Sequence, residues 1–196
     1  NTVVFDIGNV LIDFRWQGLF EDLGFCGEKF ERIADATVRS QWWNEFDRGI
    51  MSLEEIIQKF TENAPEYEKE IREVTKDLGG CIRTFDYSVH WIQSLNEQGM
   101  NTYYLSNYGE KLRRDSAEAL KPITYCKGGI FSYEVKLMKP EAAIYQTLVD
   151  KYNLIPERCV FIDDLETNVE AARAIGMKGI VFRGYEDACQ KLLELS

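Results

Sequence analysis

Four short runs of apolar, β-forming residues recur along the chain, and segments with helical periodicity lie between them. The runs are "TVVFD" (residues 2–6), "NTYYLS" (101–106), "CVFID" (159–163) and "GIVF" (179–182), and "GGIFSY" (128–133) is a candidate for a fifth. Buried strands that alternate with helices are typical of a parallel sheet that is covered on both faces. The sequence therefore predicts an α/β fold with three α/β/α layers and a mainly parallel sheet.

A long helical insertion is predicted between the first and second strands. Roughly 95 residues separate these strands, whereas a crossover connection needs only a dozen or more. The pattern from residue 15 to residue 84 is helical throughout, and Ser52 followed by Glu55 forms a capping box at the start of one helix. We therefore predict an α/β core of residues 1–14 and 85–196, with a helical bundle of residues 15–84 inserted after the first strand.

Helix-terminal residues predict three further boundaries in the core. We expect Asp86 to cap the helix that follows the insertion, and Pro140 to lie in the first turn of a later helix. Gly176 is expected to close a helix that starts near Thr167.

Charge and cysteine content exclude several classes of protein. The net charge of −10 argues against binding to nucleic acid or to an anionic membrane, because both require clustered Lys and Arg. No apolar run reaches the roughly 18 residues of a membrane helix, and the first residues already resemble a strand rather than a signal peptide. The five cysteines are scattered without a CxxC pair, which favours a reducing, cytoplasmic location. His90, the only histidine, lies on a predicted helix among apolar residues, so histidine-dependent catalysis is not expected.

Polar residues follow three of the predicted strands at the point where each strand ends. In an open parallel sheet the carboxyl ends of the strands lie at one edge, where ligands bind. We therefore expect the following residues, together with a lysine that opens a later helix, to form one site: Asp6, Gly8 and Asn9; Ser106 and Asn107; Asp163 and Asp164; and Lys139.

These residue types favour phosphoryl chemistry. Asp6, Asp163 and Asp164 would form an oxygen-rich cluster that is costly without a cation, and Mg²⁺ prefers such carboxylate oxygens. Ser106 and Asn107 offer neutral donors to phosphate oxygens, and Lys139 offers a positive charge. Because no histidine is available, the simplest mechanism is attack by the Asp6 carboxylate, which forms an aspartyl phosphate.

The segments "FDIGNVL", "YYLSN", "KPEAAIY" and "FIDDLETN" resemble, in this order, the four motifs of the haloacid dehalogenase superfamily. The insertion resembles the helical C1-type cap domain of that family, and the resemblance implies a Rossmann-like core. It also implies that Asp6 is the nucleophile, with Lys139 as the second catalytic residue, and that Asn9, Ser106, Asn107 and Lys139 bind the phosphoryl group. The implied Mg²⁺ ligands are Asp6, the backbone carbonyl of Gly8, Asp163 and Asp164. The "D-x-G-N-V" pattern is similar to that of short bacterial sugar phosphatases, including those that act on glucose 1-phosphate.

Gly8 departs from the pattern of the family's phosphatases. Those enzymes usually carry an aspartate at this position, which protonates the leaving oxygen and contributes about 10² to 10⁴ in rate. One hypothesis is that the substrate has an unusually stable leaving group, such as the anomeric hydroxyl of a sugar. The other is that Asp13 or Asp47 supplies the proton instead.

The insertion contains further candidates for substrate contacts. The segment "WWNEFDRG" (42–49) predicts a helix end and a turn, which would carry Asp47 and Arg48 over the catalytic edge. Arg15 and Trp16 lie at the first linker, where a lid would pivot. A closed lid leaves room for a small phosphorylated substrate but little for a protein or a duplex. Together with the negative net charge, this predicts neither nucleic acid nor membrane partners. We expect a monomer or homodimer.

Two alternative functions follow from the same residues. A dehalogenase or phosphonate hydrolase of the superfamily is one alternative, but the acidic pair at Asp163 and Asp164 favours phosphate over halide. Loss of activity on metal removal would exclude the metal-free dehalogenase, whereas a phosphonate hydrolase requires a comparison of substrates. The other alternative is a catalytically degenerate protein that binds a phosphorylated ligand, which Gly8 would favour.

Overall fold

The computed structural model describes residues 1–195, in which a parallel sheet lies between two layers of helices. Its strands are β1 (Thr2–Phe5), β2 (Ile12–Phe14), β3 (Ile82–Thr84), β4 (Asn101–Ser106), β5 (Gly128–Phe131), β6 (Cys159–Asp163) and β7 (Lys178–Val181). Five of them form one sheet in the order β5-β4-β1-β6-β7, and every neighbouring pair in it is parallel. The predicted α/β fold and the fifth strand at residues 128–131 are confirmed.

The helices alternate with these strands and also fill the insertion. They are α1 (Trp16–Asp22), α2 (Gly27–Ala36), α3 (Gln41–Arg48), α4 (Leu53–Asn63), α5 (Glu68–Lys76), α6 (Ser88–Glu97), α7 (Glu110–Asp115), α8 (Ser132–Val135), α9 (Ala142–Tyr152), α10 (Glu166–Ala174) and α11 (Tyr185–Leu195). None of the helices among residues 1–195 is long and apolar enough to cross a membrane.

The central strand β1 is buried on both faces, as its uninterrupted apolar sequence requires. On one face, the Phe5 ring packs edge-on against Trp91 of α6, with ring centroids 4.8 Å apart. On the other face, Val4 lies in a cluster with Ile144 and Tyr145 of α9. The two helical layers therefore pack on opposite faces of the strand that ends at Asp6.

The insertion begins and ends in a two-stranded ribbon that the sequence did not predict. β2 and β3 pair antiparallel, with Ile12 opposite Thr84 and Phe14 opposite Ile82. Strands of three residues are too short to show alternation, so pattern analysis could not detect them. Helices α1 to α5 lie between these two strands. Treating residues 15–84 as a separate cap domain stays a prediction.

The helix boundaries agree with the sequence at some positions and differ at others. The capping box of α4 is confirmed, since the Glu55 amide donates to Ser52 Oγ at 3.3 Å and the Ser52 amide donates to Glu55 Oε2 at 2.7 Å. Asp86 does not cap α6, because that helix begins at Ser88 with Tyr87 at the N-cap and no side-chain cap. Pro140 likewise precedes α9, whose N-cap is Glu141.

The turn that was predicted to carry Asp47 and Arg48 is instead the last turn of α3. Gly49 ends this helix in the left-handed region, with φ of 72°, where a residue without a side chain is favoured. A Cβ at Gly49 would also lie 2.8 Å from Cβ of Tyr133 in the core. Gly49 therefore both ends α3 and lets the insertion approach the core closely.

Candidate active site and metal centre

The polar strand ends meet at one edge of the sheet, beneath the insertion, and form a cavity of about 270 Å³. β1 pairs in parallel with β4 on one side and with β6 on the other, so the carboxyl ends of the three strands lie side by side. The insertion closes part of the opposite wall with residues of α3. The described residues that line the cavity include Asp6, Gly8, Asn9, Asn44, Asp47, Ser106, Asn107, Lys139, Asp164 and Asn168.

Three carboxylates from two neighbouring strands converge at this edge. Asp6 follows β1, Asp163 ends β6 and Asp164 comes next, and one oxygen from each lies within 4.8 Å of the others. Asp163 is fully buried and Asp6 is 8% exposed, so water screens neither of them well. Their proximity carries an electrostatic cost that a cation would offset.

The Lys139 ammonium group lies between two of these carboxylates. Its Nζ is 2.8 Å from Asp6 Oδ1 and 2.6 Å from Asp163 Oδ2. Burial lowers the pKa of Lys139, but the two carboxylates outweigh this effect and the net shift is upward. The lysine therefore stays charged and holds Asp6 in place.

Asn107 fixes the backbone of Lys139 through two hydrogen bonds. The Lys139 amide donates to Asn107 Oδ1 at 2.8 Å, and Asn107 Nδ2 donates to the Lys139 carbonyl at 3.0 Å. The predicted phosphate contact of Asn107 stays a prediction, since its amide is engaged with Lys139. Ser106, at the end of β4, lines the cavity and is 2% exposed.

Asn168 orients Asp163, and sequence reasoning did not identify it. Its Nδ2 lies 3.1 Å from each carboxylate oxygen of Asp163, and the Leu165 amide donates to Asp163 Oδ1 at 2.8 Å. The available signal was its position five residues after Asp163, within the "FIDDLETN" segment. An asparagine there reaches back from the first turn of α10 to the strand end.

The residues that follow β1 form a tight turn around the acidic cluster. Asn9 has φ of 57°, a left-handed conformation that asparagine tolerates, and its Nδ2 donates to Asp164 Oδ2 at 3.1 Å. Gly8 lines the cavity, and a Cβ added to it would meet no atom within 4 Å. The missing acid at position 8 is therefore not a steric requirement of the fold.

The donor set fits Mg²⁺. The cluster contains three carboxylates and one ammonium group, which contacts two of them, so it has an excess of negative charge, and all of its possible metal ligand atoms are oxygens. Burial raises the pKa of Asp6 to about 7, Lys139 acts in the opposite direction, and Asp163 adds to the rise. A divalent cation bound between the three carboxylates would offset their mutual repulsion. The cluster is consistent with a magnesium site, held by Asp6, Asp163 and Asp164.

One of the candidate substrate-contact residues near or within the insertion, Asp47, lines the cavity. The others do not line it: Asp13, Arg15, Trp16 and Arg48. Arg15 donates to the Gly80 carbonyl at 2.8 Å, next to the ribbon. Arg48 pairs with Glu141 at 2.7 Å and so joins the insertion to the core. The predicted substrate contacts of Asp13, Arg15, Trp16 and Arg48 stay predictions that this arrangement does not favour.

A buried hydroxyl group connects the end of α3 to the core. Ser132 is fully buried, and its Oγ donates to the Asp47 carbonyl at 2.6 Å and accepts from the Tyr108 amide at 2.9 Å. Lys136 Nζ also donates to the Gly49 carbonyl. These bonds hold the end of α3 over the cavity.

Replacing Ser132 with Ala is expected to lower the free energy of unfolding by about 1–3 kcal/mol, because the buried Tyr108 amide and Asp47 carbonyl would lose their partner. Urea denaturation measures this change. The control is Thr124→Ala, which removes an exposed hydroxyl bonded to the Lys121 carbonyl and should cost less than about 0.5 kcal/mol. Equal costs for the two variants would contradict a connecting role for Ser132.

The rest of the cavity wall is mostly apolar. The rings of Phe14 and Trp43 lie 5.9 Å apart at centroids, and Ile12, Ile82, Tyr108 and Leu112 also line the cavity. A substrate bound with its phosphate at the acidic cluster would place its organic part against these side chains.

A model of the haloacid dehalogenase-like hydrolases matches residues 1–176. The chain belongs to this family. The chain is accordingly a hydrolase.

Similar proteins include two phosphatases. The sesquiterpene phosphatase astK of Aspergillus oryzae is 24% identical over 98% of this chain and 94% of its own length. A phosphorylated carbohydrates phosphatase of Thermotoga maritima is 34% identical, over 36% of this chain and 31% of its own length.

The fold also matches a solved haloacid dehalogenase-family structure. The magnesium complex of the family enzyme BT-2542 from Bacteroides thetaiotaomicron has a TM-score of 0.77 and 21% identity, over 98% of each chain. A further structure of that enzyme contains magnesium and inorganic phosphate.

Proposed function

We propose that this protein is a Mg²⁺-dependent phosphatase that hydrolyses small organic phosphate monoesters through an aspartyl phosphate on Asp6. The observation that carries the proposal is the cluster of Asp6, Asp163 and Asp164 around one buried lysine. This arrangement combines a nucleophile, a cation site and a fixed positive charge at one sheet edge.

Each of these side chains has a separate role in the proposed reaction. A carboxylate oxygen of Asp6 attacks phosphorus, and the ester oxygen departs with the bonding electrons, leaving the phosphoryl group on Asp6. Lys139 holds the attacking carboxylate and stabilises the negative charge that develops on the phosphoryl oxygens, while Ser106 donates to them. Bound Mg²⁺ would supply further charge neutralisation for the phosphoryl group. Water then attacks phosphorus, which releases phosphate and restores the Asp6 carboxylate.

Sugar phosphates, with anomeric phosphates favoured, are the substrates that the sequence predicts. If no other side chain replaced the acid that is absent at position 8, the glycine there would favour this choice, because an anomeric oxygen requires less proton donation on leaving. Similarity to the carbohydrate phosphatase of Thermotoga maritima is in keeping with it.

The apolar wall of the cavity favours a second substrate class, phosphates of apolar alcohols. Phe14, Trp43 and Leu112 would gain from covering an apolar substrate, and the indole N–H of Trp43 is the one donor that these three side chains could offer to a sugar hydroxyl. The sesquiterpene phosphatase of Aspergillus oryzae, which is similar over nearly the whole chain, is in keeping with this class.

Phosphate release from a panel of substrates, measured with Mg²⁺ and after chelation by EDTA, tests the proposal. The panel contains glucose 1-phosphate, glucose 6-phosphate, a prenyl phosphate, an alkyl phosphate, a phosphonate and a haloacid. We expect Mg²⁺-dependent release from at least one ester, and loss of activity on chelation that added Mg²⁺ restores. The ranking of the sugar and prenyl esters distinguishes the two substrate classes.

Other results from this panel would contradict the proposal. Halide release that persists in EDTA would indicate a metal-independent dehalogenase. Turnover of the phosphonate alone would indicate carbon–phosphorus cleavage. Binding of phosphate esters without any turnover would indicate the catalytically degenerate alternative.

A further inference from the structure

A carboxyl group of the helical insertion is buried in the cavity and incompletely hydrogen-bonded. Asp47 is 7% exposed and lines the same cavity as Asp6 and Lys139. Its Oδ1 has no hydrogen-bond partner among residues 1–195. Buried polar atoms are nearly always satisfied, so an unpaired carboxyl oxygen at a ligand cavity points to a partner that arrives with the substrate.

The surrounding contacts fix this carboxyl group in place. The Ser132 hydroxyl binds the Asp47 carbonyl, and the Gly109 backbone donates a hydrogen bond to its carboxyl group. Glycine at position 109 lets α3 pack this closely, since a Cβ there would lie 2.3 Å from the ring of Phe46, the residue before Asp47. Asp47 therefore has one defined position above the catalytic edge.

The environment of Asp47 keeps a proton available on it near neutral pH. Burial raises its pKa to about 8, the Gly109 hydrogen bond opposes the rise, and the charge of Asp6 adds to it. A catalytic acid is most effective when its pKa lies near the working pH.

We propose that Asp47 is the catalytic acid and base of this enzyme, supplied by the insertion in place of the aspartate that is absent at position 8. This inference rests on the proposed phosphatase function. Asp13, the other candidate, lies in the β2–β3 ribbon outside the cavity lining.

Asp47 gives its proton in the first step and regains one in the second. As Asp6 attacks phosphorus, the bond between phosphorus and the ester oxygen breaks, and that oxygen takes both the bonding electrons and the proton of Asp47. The alcohol leaves, and Asp47 becomes a carboxylate. Asp47 then takes a proton from water as the water oxygen attacks phosphorus. The bond from phosphorus to Asp6 breaks, and inorganic phosphate leaves.

The test compares two leaving groups in wild type and Asp47→Asn by rapid mixing with Mg²⁺ present. Nitrophenolate leaves without a proton, whereas an alkoxide needs one. In Asp47→Asn we expect phosphoryl transfer from an alkyl phosphate to fall by about 10² to 10⁴, with a far smaller loss of the initial burst from p-nitrophenyl phosphate. Slow hydrolysis should follow that burst, and intact mass spectrometry should show phosphorylated enzyme accumulating.

The matched control is Asp35→Asn, the same change at an exposed position of α2 that pairs with Arg39. This variant should cleave both substrates at the wild-type rates. Asp47→Ala serves as the second variant if the asparagine variant does not fold. Equal losses of rate for both leaving groups would indicate a structural role for Asp47 and would overturn the proposal. Unchanged rates for both leaving groups would also overturn it. If the wild-type protein cleaves no phosphate ester, the proposed phosphatase function is wrong, and the role of Asp47 that rests on it is wrong as well.

Discussion

Replacing Asp6 with Asn is expected to abolish steady phosphate release while leaving the protein folded. The amide has nearly the same shape as the carboxylate but cannot attack phosphorus, so the rate should fall by about 10⁴-fold or more, as when other hydrolases lose a covalent nucleophile. Lys139 keeps its second partner, Asp163 at 2.6 Å, which should preserve the local structure. Phosphate release, with circular dichroism as a check on folding, measures the effect.

The design of this experiment separates loss of the nucleophile from loss of a buried charge. Asp163→Asn also removes one negative charge from the cluster but leaves the attacking group in place. In that variant we expect activity to recover at least partly as the Mg²⁺ concentration rises, whereas Asp6→Asn should stay inactive at every concentration. Turnover by Asp6→Asn at a rate similar to that of wild type would contradict the assignment of the nucleophile.

Replacing Lys139 with Met is expected to produce the second large effect, on both stability and activity. The ammonium group is buried between Asp6 and Asp163, and its removal leaves these two carboxylates facing each other without compensation. Breaking a buried ion pair by removing one partner costs about 3–5 kcal/mol. Denaturant unfolding in EDTA measures this cost.

Mg²⁺ should offset part of this loss, because a cation bound by the same carboxylates replaces some of the missing positive charge. The shift of the unfolding midpoint on adding Mg²⁺ should therefore be larger in Lys139→Met than in wild type. The control is Lys191→Met, which breaks an exposed pair with Asp187 and should change stability by less than about 1 kcal/mol. Equal Mg²⁺ shifts in Lys139→Met and wild type would contradict a shared electrostatic site.

Much of the core could be predicted from the sequence because its elements are long or uninterrupted enough to show a pattern. β1 is a mostly apolar strand that is followed by Asp6, and β6 is an apolar strand that ends at Asp163; a parallel sheet brings such ends to one edge. The convergence of Asp6, Asp163 and Lys139 follows from that topology. The family match over residues 1–176 confirms the resemblance of the motifs.

The insertion was harder to predict because its details depend on tertiary contacts. The three-residue strands of the ribbon show no periodicity, and Asp47 was placed in a turn although α3 continues through Arg48. Whether a polar residue faces the cavity depends on packing that no local pattern encodes. Arg48 and Asp47 are adjacent, yet Arg48 pairs with Glu141 while Asp47 lies in the cavity.

The central claim is that Asp6 carries the phosphoryl group during turnover, and hydroxylamine tests it most directly. This reagent attacks an aspartyl phosphate and converts the aspartate to a stable hydroxamate, which peptide mapping by mass spectrometry can locate. We predict progressive inactivation that requires both Mg²⁺ and a phosphate ester, with the hydroxamate on Asp6. Continued turnover with Asp6 unmodified, or a hydroxamate on another residue, would contradict the account.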